Sequence, residues 1–154
     1  MKYRITEVGP DSGPLVLELV NALLTELGEE GDESGVLMAA EMMAAWVADQ
    51  GCHTAFIARS EAGETVGVAT LSTAFALYAA GRYGILNEMY VVPEWRSKGV
   101  GAELIQAVAD YGRRRGWRRI DVTAPESDRW ERTREFYERQ GFEYSGPKLK
   151  LLLG

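Results

Sequence analysis

Between Val91 and Ile105 the chain reads VVPEWRSKGVGAELI: an apolar run, a proline, the cations Arg96 and Lys98, then Gly99-Val100-Gly101 at the mouth of an amphipathic run. Cations and glycines between a strand and a helix suit phosphate. The first amides of a helix have no intrahelical acceptor, and with the helix dipole they form an anion site. Gly99 and Gly101 let a pyrophosphate approach the backbone, and Arg96 and Lys98 supply charge. A P-loop would need Gly-Lys followed by Ser or Thr, which is absent. A dinucleotide fold would pair Gly99-Val100-Gly101 with an acid about 20 residues on, where Asp121 stands. However, Leu104 occupies the place of the third glycine, and Asp121 lies within a strand-like run. The single cysteine, Cys52, and the single histidine, His53, are adjacent. Neighbours on a strand point to opposite faces, so they do not form a nucleophilic pair, and both read as structural. No Cys/His cluster has metal-ligand spacing, so no metal is expected.

The elements around this loop follow from periodicity. Tyr3 to Val8 alternates as a strand. Gly13 and Pro14 open a helix that carries Leu15, Leu19, Leu23 and Leu27 on one face, and the acidic stretch from Gly28 to Gly35 interrupts it before a second helix from Val36 to Asp49. Thr54–Arg59 and Thr65–Thr73 flank a turn and read as a hairpin, and Tyr83–Val92 is a further strand ended by Pro93. Ala102–Arg115 is a helix stopped by Gly116, and Arg118–Ala124 a strand. Asp128 with Glu131 makes a capping box for a last helix ended by Gly141. Phe142–Tyr144 and Leu149–Leu153 are expected to close the sheet. Antiparallel hairpins come first and a crossover comes late. This order specifies a mixed α+β sheet rather than an alternating doubly wound one.

A chain of 154 residues buries a core without disulfides and reads as one domain over 1–154. No apolar run approaches the length of a membrane span, and MKYRITEV lacks the apolar segment of a signal peptide, so a cytoplasmic protein with no membrane partner is expected. The net charge of −6 disfavours nucleic acid. The charge is uneven: residues 1–64 hold 12 acids and 3 bases, whereas residues 91–119 hold 3 acids and 7 bases. A polyanion would be drawn to the second stretch.

The motif Arg96-Ser97-Lys98-Gly99-Val100-Gly101 resembles the coenzyme A-binding motif of the GNAT acyltransferase superfamily, Arg/Gln-x-x-Gly-x-Gly/Ala. The preceding NEMYVVPEW and the later REFYERQGFEYSG, Arg134 to Gly146, are similar to that family at the expected places. The resemblance is specific from Ile85 to Phe142 and architectural before that. It implies the GNAT acyl-CoA N-acyltransferase fold, with a central, mostly antiparallel twisted sheet whose fourth and fifth strands splay apart. It implies acetyl-CoA as co-substrate, its pyrophosphate on Arg96, Ser97, Lys98, Gly99, Val100, Gly101 and Ala102, and its pantetheine beside Met89, Tyr90 and Val91. Unpaired N–H groups near Tyr90 and Val91 would hold the acyl oxygen.

An amine attacking a thioester must lose a proton, and the departing thiolate must gain one. By the resemblance, Glu88 is the candidate proton acceptor, acting directly or through a water. The alternatives are an arginine pair or a hold on the substrate ammonium. Family members place this acid at differing positions on the strand, and Asn87 occupies one of them. Tyr137 matches the family tyrosine that protonates or hydrogen-bonds the thiolate. Many members carry Asn and Ala early in the last helix, where this chain has Trp130 and Thr133. The implied activity is direct transfer of an acetyl group to the primary amine of a small-molecule acceptor. The acidic stretch Glu26, Glu29, Glu30, Asp32 and Glu33 would favour a cationic acceptor, or is a solvated loop. A peptide or protein N-acetyltransferase and a non-catalytic acyl-CoA-binding module are the alternatives, and the presence of both Glu88 and Tyr137 speaks against the module. Homodimers are common in the family, although the sequence carries no signature of one.

Overall fold

The computed structural model describes residues 2–27, 35–123, 131–146 and 148–153, with 35–39 described by backbone alone. The chain divides into two compact units, 1–121 and 122–154. The first holds β1 (Tyr3–Val8), α1 (Gly13–Leu27), α2 (Gly35–Ala48), β2 (His53–Ser60), β3 (Thr65–Ala76), β4 (Gly81–Val91) and α3 (Val100–Arg114). β5 (Ile120–Val122) begins at its end. The sheet order is β1-β2-β3-β4-β5, antiparallel from β1 to β4 and parallel between β4 and β5, which is the mixed architecture expected from the element order.

Strand alternation sends two apolar sets to opposite faces. Ala55, Ile57, Val68 and Tyr90 pack with Val16 and Leu19 of α1 and Trp46 of α2. On the other face α3 places Val100, Leu104, Ile105, Val108 and Tyr111 against the sheet, a helical stripe that Gly67 and Phe56 meet. β4 spans eleven residues but β5 only three. The Gly84 amide donates to the Arg119 carbonyl at 3.2 Å, so the parallel contact lies near the start of β4. A glycine is required at position 84, because a Cβ there would come within 2.4 Å of the Trp117 ring.

The second unit contains α4 (Glu131–Arg139). Its end is closed by the Phe142 amide, which donates to the Tyr137 carbonyl at 3.1 Å beyond Gly141. The expected strands Phe142–Tyr144 and Leu149–Leu153 do not form: 142–146 and 148–153 lie outside helix and strand, and Leu149, Leu151, Leu152 and Leu153 are exposed. Alternation of Leu149, Lys150 and Leu151 marks an element with one apolar side, but a strand also needs a neighbour's backbone. The described residues of this unit beyond Val122 hold no other strand to provide it. Among the described residues no helix is long and apolar enough to cross a membrane.

Candidate active site

β4 ends at Val91, and a single 3-10 turn over Pro93–Trp95 carries the chain to the loop before α3. Two residues of this loop adopt left-handed backbone: Ser97, φ 63°, and Gly99, φ 88°. Ser97 is strained there because its Cβ crowds the backbone, whereas Gly99 is not. Gly99 caps α3 with no side-chain hydrogen bond, and the amides of Val100, Gly101 and Ala102 open the helix without intrahelical acceptors. Glu103 is the first to bond back, its N–H donating to the Gly99 carbonyl at 3.1 Å. The loop expected to hold a pyrophosphate thus leads into a helix start whose first amides have no intrahelical acceptor.

The two motif cations are placed differently. Arg96 donates through Nε to the Val91 carbonyl at 2.9 Å, meets both Glu26 carboxylate oxygens at 2.9 Å, and lies 5.3 Å over the Tyr90 ring. It thus braces the end of β4 against α1. Lys98 lies over the Trp95 ring at 5.7 Å. Of the later cations, Arg113 pairs with Asp110, Arg115 stacks on Tyr111 and Arg119 pairs with Asp121.

Along β4 the Val92 amide donates to the Val66 carbonyl. Antiparallel alternation then turns Tyr90 toward β3 and aims the N–H groups of Met89 and Val91 to the opposite edge. The outward donors are Met89 and Val91 rather than Tyr90, whose ring is buried in the core.

Glu88 owes its position to a bulge. The register pairs Thr70 with Glu88 and then Leu71 with Leu86, skipping Asn87. Thr70 and Ser72, two apart on β3, share a face. Thr70 Oγ1 donates to the Glu88 carboxylate at 2.5 Å and accepts from the Glu88 amide at 3.0 Å. Asn87 Nδ2 donates to Ser72 Oγ at 2.6 Å. The bulge thereby sends two consecutive side chains to one face of the sheet, the face covered by α1 and α2.

The same face holds His53, directly opposite Ser72 in the register, with Nδ1 3.2 Å from Ser72 Oγ. Its carbonyl accepts from Trp46 Nε1 at 3.2 Å, and the Trp46 ring meets the imidazole edge-on at 4.9 Å. Burial lowers the His53 pKa, opposed by the nearby charges of Glu88 and Asp49. Thr70, Ser72 and the His53 contact were not singled out from the sequence. The available signal was the hydroxyls of Thr70 and Ser72 at alternate positions of the otherwise apolar VATLS. Among the described residues no group of three or more His, Cys, Asp or Glu is placed to hold a metal.

In the second unit Tyr137 is buried, with its ring 5.5 Å from those of Phe136 and Phe142. Burial pushes its phenol up to about 12, so the hydroxyl keeps its proton at neutral pH. Trp130 and the acids Glu29, Glu30, Asp32 and Glu33 lie outside the described residues.

A sequence profile of the acetyltransferase (GNAT) family matches residues 17–142. An uncharacterized N-acetyltransferase of Bacillus subtilis (strain 168) is 34% identical over 83 residues, 54% of each chain. One of Archaeoglobus fulgidus is 29% identical over 79 residues, 51% of this chain and 52% of its own. The chain thus matches about half the length of these curated relatives. Among solved structures, an aminoglycoside acetyltransferase from an uncultured soil metagenomic sample, in complex with sisomicin, aligns with a TM-score of 0.79 at 16% identity, covering 99% of this chain and 97% of its own. A ribosomal-protein-alanine N-acetyltransferase of Brucella melitensis biovar Abortus 2308 aligns at 0.75 and 20%, covering 99% and 100%. A predicted acetyltransferase of Clostridium acetobutylicum, solved with acetyl-CoA, aligns at 0.79 and 16%, covering 98% and 96%. At these identities the structures establish a shared fold, and with the profile spanning most of its length the chain belongs to the acetyltransferase (GNAT) family.

Proposed function

We propose that this protein is an acetyl-CoA-dependent N-acetyltransferase acting on the primary amine of a small, cationic acceptor, with residues 1–154 working as one domain. The observation that carries this reading is that one strand, β4, holds a carboxylate at its bulge and leads, past its end, into a helix start whose first amides have no intrahelical acceptor. Amine chemistry and phosphate recognition thus sit on one continuous strand-loop-helix. The family profile runs through both compact units, which supports the single-domain reading.

In this reading the amides from Ser97 to Ala102 hold the pyrophosphate, with charge from Arg96 and Lys98. The outward N–H groups of Met89 and Val91 hold the pantetheine and the thioester oxygen. Glu88 takes a proton as the amine nitrogen attacks the carbonyl carbon. The C–N bond forms, the C–S bond breaks, and Tyr137 gives its phenolic proton to the thiolate before being reprotonated from solvent. The acidic amino-terminal stretch favours a cationic acceptor, as does the fold shared with an aminoglycoside acetyltransferase. The fold shared with a ribosomal-protein-alanine N-acetyltransferase keeps a peptide amino terminus as the second candidate.

The test is release of free CoA thiol from acetyl-CoA in the presence of sisomicin, 1,4-diaminobutane or an alanine-terminated peptide. Turnover with either small amine supports the reading. Turnover with the peptide alone moves the acceptor to proteins, and acetyl-CoA binding without turnover of any amine would reduce the chain to a binding module.

A further inference from the structure

The bulge at Asn87 has a chemical consequence beyond placing Glu88. Asn87 is exposed, yet its amide nitrogen is committed to Ser72 Oγ at 2.6 Å. Ser72 in turn stands 3.2 Å from His53 Nδ1. When the imidazole is neutral with its proton on Nε2, Nδ1 accepts the single hydroxyl proton of Ser72. The hydroxyl then faces Asn87 as an acceptor and selects the amide nitrogen over the amide oxygen. In that tautomer His53 and Ser72 together fix which end of the Asn87 amide turns toward Ser72, leaving its oxygen as the other end.

We propose that Asn87, with its amide polarity set by Ser72 and His53, is a recognition group for the acceptor: its Oδ1 accepts an N–H of the incoming primary amine beside the Glu88 carboxylate. This rests on the acetyl-transfer reading for its context. The two oxygens divide the work. A carboxylate accepts both a hydrogen bond and a proton. An amide oxygen accepts a hydrogen bond but is far too weak a base to take the proton at ordinary pH. Asn87 can therefore hold the amine through deprotonation without competing with Glu88, and a primary ammonium has enough N–H donors for both. Reversing the amide would present N–H donors to an N–H donor, and leave the amine without that acceptor.

The experiment combines two measurements on the full chain. In the first, the Asn87 side-chain amide resonances of 15N-labelled protein are followed during titration with 1,4-diaminobutane and with sisomicin. They should shift in the wild type. In the second, KM and kcat are compared for whichever of these amines is acetylated. Asn87→Leu, close in shape but without hydrogen bonds, should raise the amine KM about tenfold, the worth of one charge-assisted hydrogen bond, while kcat falls much less. Asn87→Asp should keep KM near the wild-type value, since both ends of a carboxylate accept. Ser72→Ala should raise KM severalfold in the wild-type background and hardly at all in the Asn87→Asp background, where no amide needs orienting. His53→Phe should act like Ser72→Ala, and His53→Gln should restore part of the loss. A purely structural role for Ser72 predicts the same effect in both backgrounds, and that result overturns the proposal, as does an unchanged KM in Asn87→Leu. Resonances that shift without turnover would remove the acetyl-transfer reading and leave amine recognition standing. Turnover with unmoved resonances would do the reverse, and neither signal would overturn both.

Discussion

Arg96 reaches seventy positions back along the chain to Glu26, its Nη2 2.9 Å from both carboxylate oxygens. The two side chains are 42% and 34% exposed, so the pair is worth at most about 1 kcal/mol. A guanidinium can exchange such a partner for a phosphate at small cost. Glu26→Gln should leave the melting temperature nearly unchanged and tighten acetyl-CoA binding a few-fold at low salt, with the gain fading as salt is added. Calorimetric titration at two ionic strengths checks this. Weaker binding in the variant would show that Glu26 holds the guanidinium in place rather than competing for it.

The proposed pyrophosphate loop should respond to single glycines. Acetyl-CoA at about 100 times its dissociation constant should stabilise the fold by about 2.7 kcal/mol. Gly101→Asp puts a carboxylate in the first turn of α3 and should abolish that thermal shift. Gly99→Ala forces a Cβ onto a residue at φ 88° and should lower the unliganded stability by about 1 kcal/mol. A wild-type melt indifferent to acetyl-CoA in ligand-free protein would sink the assignment of the loop.

Tyr137 makes two separable predictions. Its phenol, pushed up to about 12 by burial, is in the protonated state that a donor requires. Tyr137→Phe should lower kcat about a hundredfold with a much smaller effect on acetyl-CoA binding. The second prediction concerns pH. Tyrosine in the unfolded chain titrates near 10, so the folded protein binds this proton more tightly. That contribution to stability is fully present below about pH 10 and is lost as pH rises toward 12. Denaturant melts between about pH 9 and 12 should show a shallower alkaline loss in Tyr137→Phe. It should not vanish, because burial also raises the phenols of Tyr3 and Tyr111.

How far the sequence carried this reading depended on the range of each signal. The run from strand to Pro93 to Gly99 to helix is local chemistry, each residue constrained by its neighbours, and it appears in the structure where expected. The bulge at Asn87 is different. It exists only in the register between β3 and β4, and no feature within NEMYVV announces that two successive side chains share a face. His53 read as structural because its sequence neighbour, Cys52, was the wrong partner. Its actual partner, Ser72, is 19 residues away and adjacent only across the ladder. The terminal leucines carry a clear local pattern but form no strand among the described residues. Expectations built on pairing between elements were the fragile ones, because pairing is a property of the sheet and not of the segment.

Thr70 offers the sharpest test of Glu88. Its hydroxyl both donates to the Glu88 carboxylate and accepts from the Glu88 amide, and the residue itself is 2% exposed. Thr70→Val keeps the shape and removes both contacts. The bulge then loses one side-chain hydrogen bond to its backbone, at a cost of about 1 kcal/mol in stability. The carboxylate, freed from its donor, should lose its fixed aim, so kcat should fall about tenfold in a variant that still folds and binds acetyl-CoA. Glu88→Gln keeps a group that Thr70 can still hydrogen-bond and removes the proton acceptor. It should lower kcat more than Thr70→Val does, across all amines, and most strongly at low pH, where the amine most needs help in losing its proton. If Glu88→Gln instead raises only the amine KM, Glu88 holds the ammonium and the proton leaves by another route. If Thr70→Val lowers stability without touching kcat, the hydroxyl serves the bulge and not the carboxylate. Thermal melts, acetyl-CoA titration and pH-dependent kinetics on the two variants separate these outcomes.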